Sequence, residues 1–274
     1  MSRLAKLYIG TNTKMYKTPS QAAEHIRRLA ALTADIPAGE LELFVLPSSL
    51  CLPAALDAAR GSFIRIGAQN IGCEETGQYT GEISPLMLAE LGIDLTMVGH
   101  SERRHTFKEA DEDEQRKAAC AAEHDFTVLL CVGETLEQKE YGVGPEALRT
   151  QLKIGLFDIP AQKLGRIWVA YEPVWAIGVR GIPASEGYAD DMHRVIKNTL
   201  RERYGQPGGE VPILYGGSVN RENAPSLIQM PHIDGLFIGR NAWDADNFNH
   251  IIRQALPLFR QRKDGERKAK ERLL

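Results

Sequence analysis

The stretch LYIGTNTKM, residues 7–15, decides the fold. A short apolar run, LYIG, ends in TNTK, where a doubly wound open sheet wants a glycine-rich G-x-G-x-x-G turn. The other way to cover a parallel sheet on both faces is to close it, and the rest of the chain reads that way.

Working outward, apolar β-branched runs alternate with amphipathic ones. LYIG at 7–10 leads to a helical pattern over 19–34, and LELFVLP at 41–47 to an alanine-rich segment near 50–60. FIRIGAQ at 63–69 leads to SPLMLAELG at 84–92, and DLTMVG at 94–99 to a helix over 109–124. EHDFTVLLCVG at 123–133 precedes one near 145–156, and RIWVAYEP at 166–173 one over 186–204. VPILYGG at 211–217 and IDGLFIG at 233–239 precede helices near 221–229 and 244–259. The strands are apolar throughout, as in sheets buried on both faces. Eight such units in 274 residues predict one closed (β/α)8 barrel over 1–259. The remainder, 260–274, is a charged extension with seven basic residues against three acidic ones, read as a frayed, solvated helix.

Composition narrows the function. Lys plus Arg total 33 and Asp plus Glu 36, so nothing points to nucleic acid or a membrane surface. No run reaches the roughly 18 apolar residues of a membrane span, and the N-terminus has no signal-peptide pattern, so the expected location is cytoplasmic. Cys51, Cys73, Cys120 and Cys131 lie far apart without metal-site spacing and read as reduced thiols. No metal and no cofactor is expected.

In a barrel the segments TNTK, GAQN, GHSERR, CVGET, EPVWAIG, YGGSVN and IGRN all meet on the carboxyl-end rim, where the active sites of this architecture lie. Lys14 beside Asn12 is either a solvated charge or a cation for a phosphoryl or enolate oxygen. His100 is either held by backbone partners or a donor to a substrate oxygen. The free N–H groups of a helical turn starting at Ser101 and Glu102 would keep it neutral. Arg103 reads as the partner of a buried carboxylate and Arg104 as a surface charge. Glu172 is either a general base, restricted by Pro173 and Trp175 and covered by a closing segment, or an acid that pairs with an arginine or caps a loop. Gly178, Ser218 and Gly239 sit in glycine-rich ends whose N–H groups suit a phosphate, or are ordinary turns. Without a serine-histidine-acid, zinc or Walker pattern, proton abstraction next to the carbonyl of a phosphorylated substrate fits best.

NTK at 12–14, TGE at 80–82, GHSERR at 99–104, CVGET at 131–135, YEPVWAIG at 171–178 and YGGSV at 215–219 resemble the signatures of the triosephosphate isomerase family. The resemblance implies a TIM barrel acting without a cofactor on a small phosphorylated aldose or ketose. It implies Glu172 as base, His100 as electrophile, Asn12 and Lys14 as substrate ligands, Glu102 as support, and Gly178 and Ser218 as phosphate donors; this pairing of a glutamate with a neutral histidine is a worked example of pKa tuning. It also implies a homodimer, with EETGQYTG at 74–81 and Thr80 near its tip entering the other subunit.

The chain departs from the family at Thr13, where a tryptophan is usual, and in the lid, VRGIPAS at 179–185. Pro183 there has no N–H for Tyr215 to meet. After strand eight, Gly239 is followed by Arg240, Asn241, Ala242 and Trp243, with Arg240 either gripping the phosphate or pointing outward. GIPAS with GLFIGRNAW resembles the branch that handles tetrulose phosphates from tetritol breakdown. The expected reaction is therefore L-erythrulose 1-phosphate to D-erythrose 4-phosphate, or else the triose interconversion of dihydroxyacetone phosphate and D-glyceraldehyde 3-phosphate. A phosphosugar sensor that kept the barrel is the non-enzymatic alternative, distinguished by an absence of solvent proton exchange.

Overall fold

The computed structural model describes residues 3–178 and 181–271. Parallel strands β1 (Leu7–Asn12), β2 (Leu41–Leu46), β3 (Arg65–Ile66), β4 (Leu95–Val98), β5 (Thr127–Val132), β6 (Ile167–Tyr171), β7 (Ile213–Tyr215) and β8 (Gly235–Ile238) form one sheet in the order 3-2-1-8-7-6-5-4. The seam between β3 and β4 is closed through Ala68: its N–H donates to Leu95 O at 2.8 Å, and its carbonyl accepts from Met97 N at 2.9 Å. The expected strand over 63–69 is therefore only two residues long as a strand, because the chain passes from β2 to β4 as it leaves Ile66. The architecture is the expected single (β/α)8 barrel.

Strand alternation sorts the side chains into two layers. Tyr8, Phe44, Leu46, Leu95, Met97, Leu129, Cys131, Trp168, Ala170, Leu214 and Phe237 fill the barrel. Their neighbours, such as Leu7, Ile9, Val128, Leu130 and Val169, pack against the helices. Trp168 meets Tyr8 edge-on at 5.1 Å and Phe44 at 5.4 Å. Each such ring contributes about 1.5–3 kcal/mol by burial. On β5 and β6 the inward residues shrink toward the carboxyl ends: Ala170 follows Trp168, and Cys131 follows Leu129. That taper leaves room above the aromatic floor.

The outer helices are α1 (Pro19–Thr33), α2 (Leu52–Ala59), α3 (Pro85–Glu90), α5 (Asp111–Glu123), α7 (Gly144–Gly155), α8 (Glu186–Tyr204), α9 (Ala224–Gln229) and α10 (Ala245–Glu271), with short α4 (Ser101–His105) and α6 (Leu136–Glu140) on the rim. Thr18 and Thr135 close capping boxes with Gln21 and Gln138, which fixes where α1 and α6 begin. The last helix was expected over 244–259 but runs on to Glu271. Arg262 explains part of this: its guanidinium donates to Ile228 O and Ile233 O at 2.9 Å and also to Met230 O. A run that reads as solvated charge thus holds an arginine seated on the turn after α9. Arg272 lies outside the described residues. Among the described residues no helix is long and apolar enough to cross a membrane.

Candidate active site

The strand ends bring the predicted residues into one cavity of about 400 Å3, lined by Asn12, Lys14, His100, Glu102, Glu172, Gly178, Ser218, Gly239 and Arg240. Tyr215 is not among its walls.

Glu172 follows β6, and its N–H donates to Val132 O at 2.8 Å. The residue is 5% exposed, and Oε2 has no hydrogen-bond partner among the described residues. Gly216 makes this possible: a Cβ there would stand 2.7 Å from Glu172 Cγ.

His100 follows β4 and caps α4 with its side chain. Nδ1 accepts the Glu102 N–H at 3.2 Å, which assigns the remaining ring proton to Nε2, 3.7 Å from Glu172 Oε1. Burial, opposed by Glu172 and aided by Lys14, lowers the imidazole pKa below its usual value. Burial and the Glu102 N–H at Nδ1 both favour the neutral ring with its proton on Nε2.

Lys14 has φ +49, in the left-handed region that costs a non-glycine residue roughly 1–3 kcal/mol. Local bonds hold it there: Lys14 N donates to Asn12 Oδ1 at 2.7 Å, and Gln69 Nε2 donates to Asn12 Oδ1, Lys14 O and Leu46 O, each at 2.9 Å. Trp243 Nε1 donates to Asn12 O at 2.9 Å, and Tyr16 packs on the indole at 4.4 Å. Lys14 Nζ pairs with Glu102 Oε1 at 2.8 Å, so Glu102 touches both the lysine and the histidine. Arg103 pairs with Glu109, which is largely buried, in line with the sequence reading.

The lid side differs from the simplest expectation. Ser218 lines the cavity, yet its N–H and its hydroxyl both donate to Ala176 O, at 3.1 and 2.6 Å. Both of its donors are thus engaged by one carbonyl in this structure. Glu134 fastens the base of the lid: Oε1 accepts from Tyr171 Oη at 3.0 Å, Trp175 Nε1 at 2.8 Å and Tyr188 Oη at 2.9 Å. The Tyr215 hydroxyl is buried, and burial raises its pKa. The backbone of Ala184, one residue past Pro183, offsets part of that shift. Val179 and Arg180 of the lid lie outside the described residues.

Sequence reading placed Gln69 (in GAQN) and Glu134 (in CVGET) on the rim without giving either a role, and missed Tyr188. Each acts through contacts between distant segments, which no local pattern specifies. Among the described residues no group of three His, Cys, Asp or Glu side chains has the spacing to hold a metal ion.

A solved structure of triosephosphate isomerase from Bartonella henselae matches with a TM-score of 0.81 at 32% identity, over 90% of this chain and 98% of that one. L-erythrulose-1-phosphate isomerase of Rhizobium etli is 44% identical over 248 residues, 90% of this chain and 91% of its own. Triosephosphate isomerase of Acetivibrio thermocellus is 42% identical over 254 residues, 92% of this chain and 99% of its own. The class is thus an aldose-ketose isomerase built on a (β/α)8 barrel and acting on a small sugar phosphate. The triosephosphate isomerase family profile matches residues 7–255, and the chain belongs to that family.

Proposed function

We propose that the protein moves the carbonyl of a phosphorylated tetrulose by one carbon, without a cofactor, starting from L-erythrulose 1-phosphate. Relatives bearing the tetrulose and the triose names stand at nearly equal identity, 44% and 42%. The choice therefore rests on Arg240, Asn241 and Trp243, which line the cavity after β8 and carry the resemblance to the tetrulose branch.

Atom counting sharpens the product. In L-erythrulose 1-phosphate the carbonyl is C2 and the phosphate is on C1, so one 1,2-shift carries the carbonyl to C3. Numbered from the other end, the product is erythrulose 4-phosphate. D-erythrose 4-phosphate, the product expected from the sequence, lies one further shift away. The corresponding step on dihydroxyacetone phosphate gives glyceraldehyde 3-phosphate, and the two substrates differ by a hydroxymethyl group on the carbon that loses its proton.

In this reading Glu172 takes the proton from C3 to form the enediolate and returns it to C2, while the hydroxyl proton passes from O3 to O2 and leaves the carbonyl at C3. His100 Nε2–H and Lys14 stabilise the charge that grows on the carbonyl oxygen. Asn12 orients the substrate, while Gly178, Gly239, Ser218 and Arg240 hold the phosphate after the lid releases Ala176. Glu102 supports both Lys14 and His100. The carrying observation is the 3.7 Å approach of His100 Nε2 to Glu172 Oε1 in one cavity with Lys14.

We further place a second copy of the chain against the loop at 74–81. Its residues from Glu74 to Thr80 are exposed, Tyr79 among them, and sedimentation velocity should give a dimer.

The test is one assay at equal enzyme concentration with dihydroxyacetone phosphate, glyceraldehyde 3-phosphate and both tetrulose phosphates. A higher kcat/KM on the tetruloses supports the proposal, and a hundredfold preference for the trioses replaces it with the triose reaction.

A further inference from the structure

Arg104, which reads from the sequence as a surface charge, has a side chain only 10% exposed. Nε donates to Gly99 O at 2.7 Å and Nη2 to Cys131 O at 3.2 Å, while Nη1 pairs with the Asp111 carboxylate. Gly99 has φ +77, and a Cβ on it would stand 2.7 Å from Arg104 Nη2, 3.0 Å from Cys131 O and 3.1 Å from Glu114 Oε2. Glu114 is 0% exposed, and neither carboxylate oxygen has a hydrogen-bond partner among the described residues.

These two carbonyls matter because of what stands next to them. Gly99 immediately precedes His100. Cys131 immediately precedes Val132, whose carbonyl accepts the Glu172 N–H at 2.8 Å. One planar guanidinium therefore ties the backbone behind the imidazole to the backbone behind the carboxylate. The third arm of the fork is taken up by the Asp111 carboxylate.

We propose that Arg104 is a positioning residue for the proton transfer, fixing the His100 to Glu172 spacing by holding the Gly99 and Cys131 carbonyls on a single fork. The inference rests on the roles given above to His100 and Glu172. A lysine keeps the charge opposite Asp111 and Glu114 but has no rigid fork to span two carbonyls. A displacement of about 1 Å in such a site costs on the order of 100-fold in rate. The phosphate end of the cavity lies on other strands and should not feel the change.

The test compares wild type, Arg104→Lys and Asp111→Asn for kcat, KM and the Kd of inorganic phosphate. Arg104→Lys should lose about 10-fold or more in kcat, with KM and the phosphate Kd within about twofold. Asp111→Asn, which frees the third arm of the fork, should lose less in the same pattern. A folded Arg104→Lys with wild-type kcat overturns the proposal, as does a phosphate Kd that weakens as much as kcat falls. Should Arg104→Lys fail to fold, Asp111→Asn decides: a selective kcat loss supports the clamp and wild-type kcat removes it. A wild type with no turnover on any sugar phosphate sinks the isomerase reading itself, and this inference with it.

Discussion

Nδ1 of His100 accepts the backbone N–H of Glu102 at 3.2 Å, and that one bond decides what the ring offers the cavity. With Nδ1 occupied as an acceptor, Nε2 carries the proton and faces Glu172. Burial favours the neutral ring in the same direction. A buried carboxylate beside a neutral donor suits a reaction in which a proton leaves carbon while charge grows on oxygen.

Gly216 sets the position of the base. Because a Cβ at that position would stand 2.7 Å from Glu172 Cγ, Gly216→Ala should displace the carboxylate. The expected result is a loss on the order of 10- to 100-fold in kcat with KM little changed, measured by steady-state kinetics. Unchanged kcat would mean that the side chain yields without leaving its working position.

Arg240 should act on binding more than on chemistry. A guanidinium that grips phosphate contributes about 1.5–3 kcal/mol, so Arg240→Ala should raise KM by roughly 10- to 100-fold and leave kcat within a few fold. An unaltered KM would assign Arg240 to the surface.

Glu114 gives a signature in stability. Its carboxyl is pushed up to about 7 by burial, assisted by Glu109 and Asp111 and opposed by Arg104 and Lys117, from an ordinary value of 4.5. Between those values the folded chain holds a proton that the unfolded chain has released. The stabilisation is present below the unfolded value and is lost as pH rises through the folded one. Glu114→Gln should therefore gain in Tm relative to wild type on going from pH 5 to pH 8, by a few degrees. An equal difference at both pH values would remove the buried acid from the account.

Tyr188 tests the fastening of the lid base. Removing one of three donors to Glu134 Oε1 with Tyr188→Phe should cost about 1 kcal/mol, or roughly 2–4 °C in Tm. Thermal unfolding checks this, and an unchanged Tm would mean that the other two bonds suffice.

What could be read in advance follows from range. The barrel was legible because every unit repeats a local contrast, an apolar strand against an amphipathic helix. Glu172, His100 and Lys14 were legible because each follows its strand within a segment of recognisable chemistry. Gln69 was not, since its three acceptors belong to two other strand ends. Glu114 was hidden in the acidic run DEDE at 111–114, where only packing reveals which carboxylate turns inward. Arg104 and Arg262 look like solvated cations until the carbonyls they satisfy are assembled by distant segments. The Ser218 bond to Ala176 belongs to one state of the lid, and a state is not written in a motif.

The account turns on Glu172 carrying a proton between adjacent carbons of a phosphorylated sugar. Incubating L-erythrulose 1-phosphate in deuterated water and following the carbon-bound hydrogens by NMR tests this directly. Wild type should place deuterium on C3 of the substrate and on the new centre of the product, and Glu172→Gln should slow this by about 100- to 10,000-fold. Exchange at the wild-type rate in a folded Glu172→Gln protein, or none in wild type with tetrulose or triose phosphates, would contradict it.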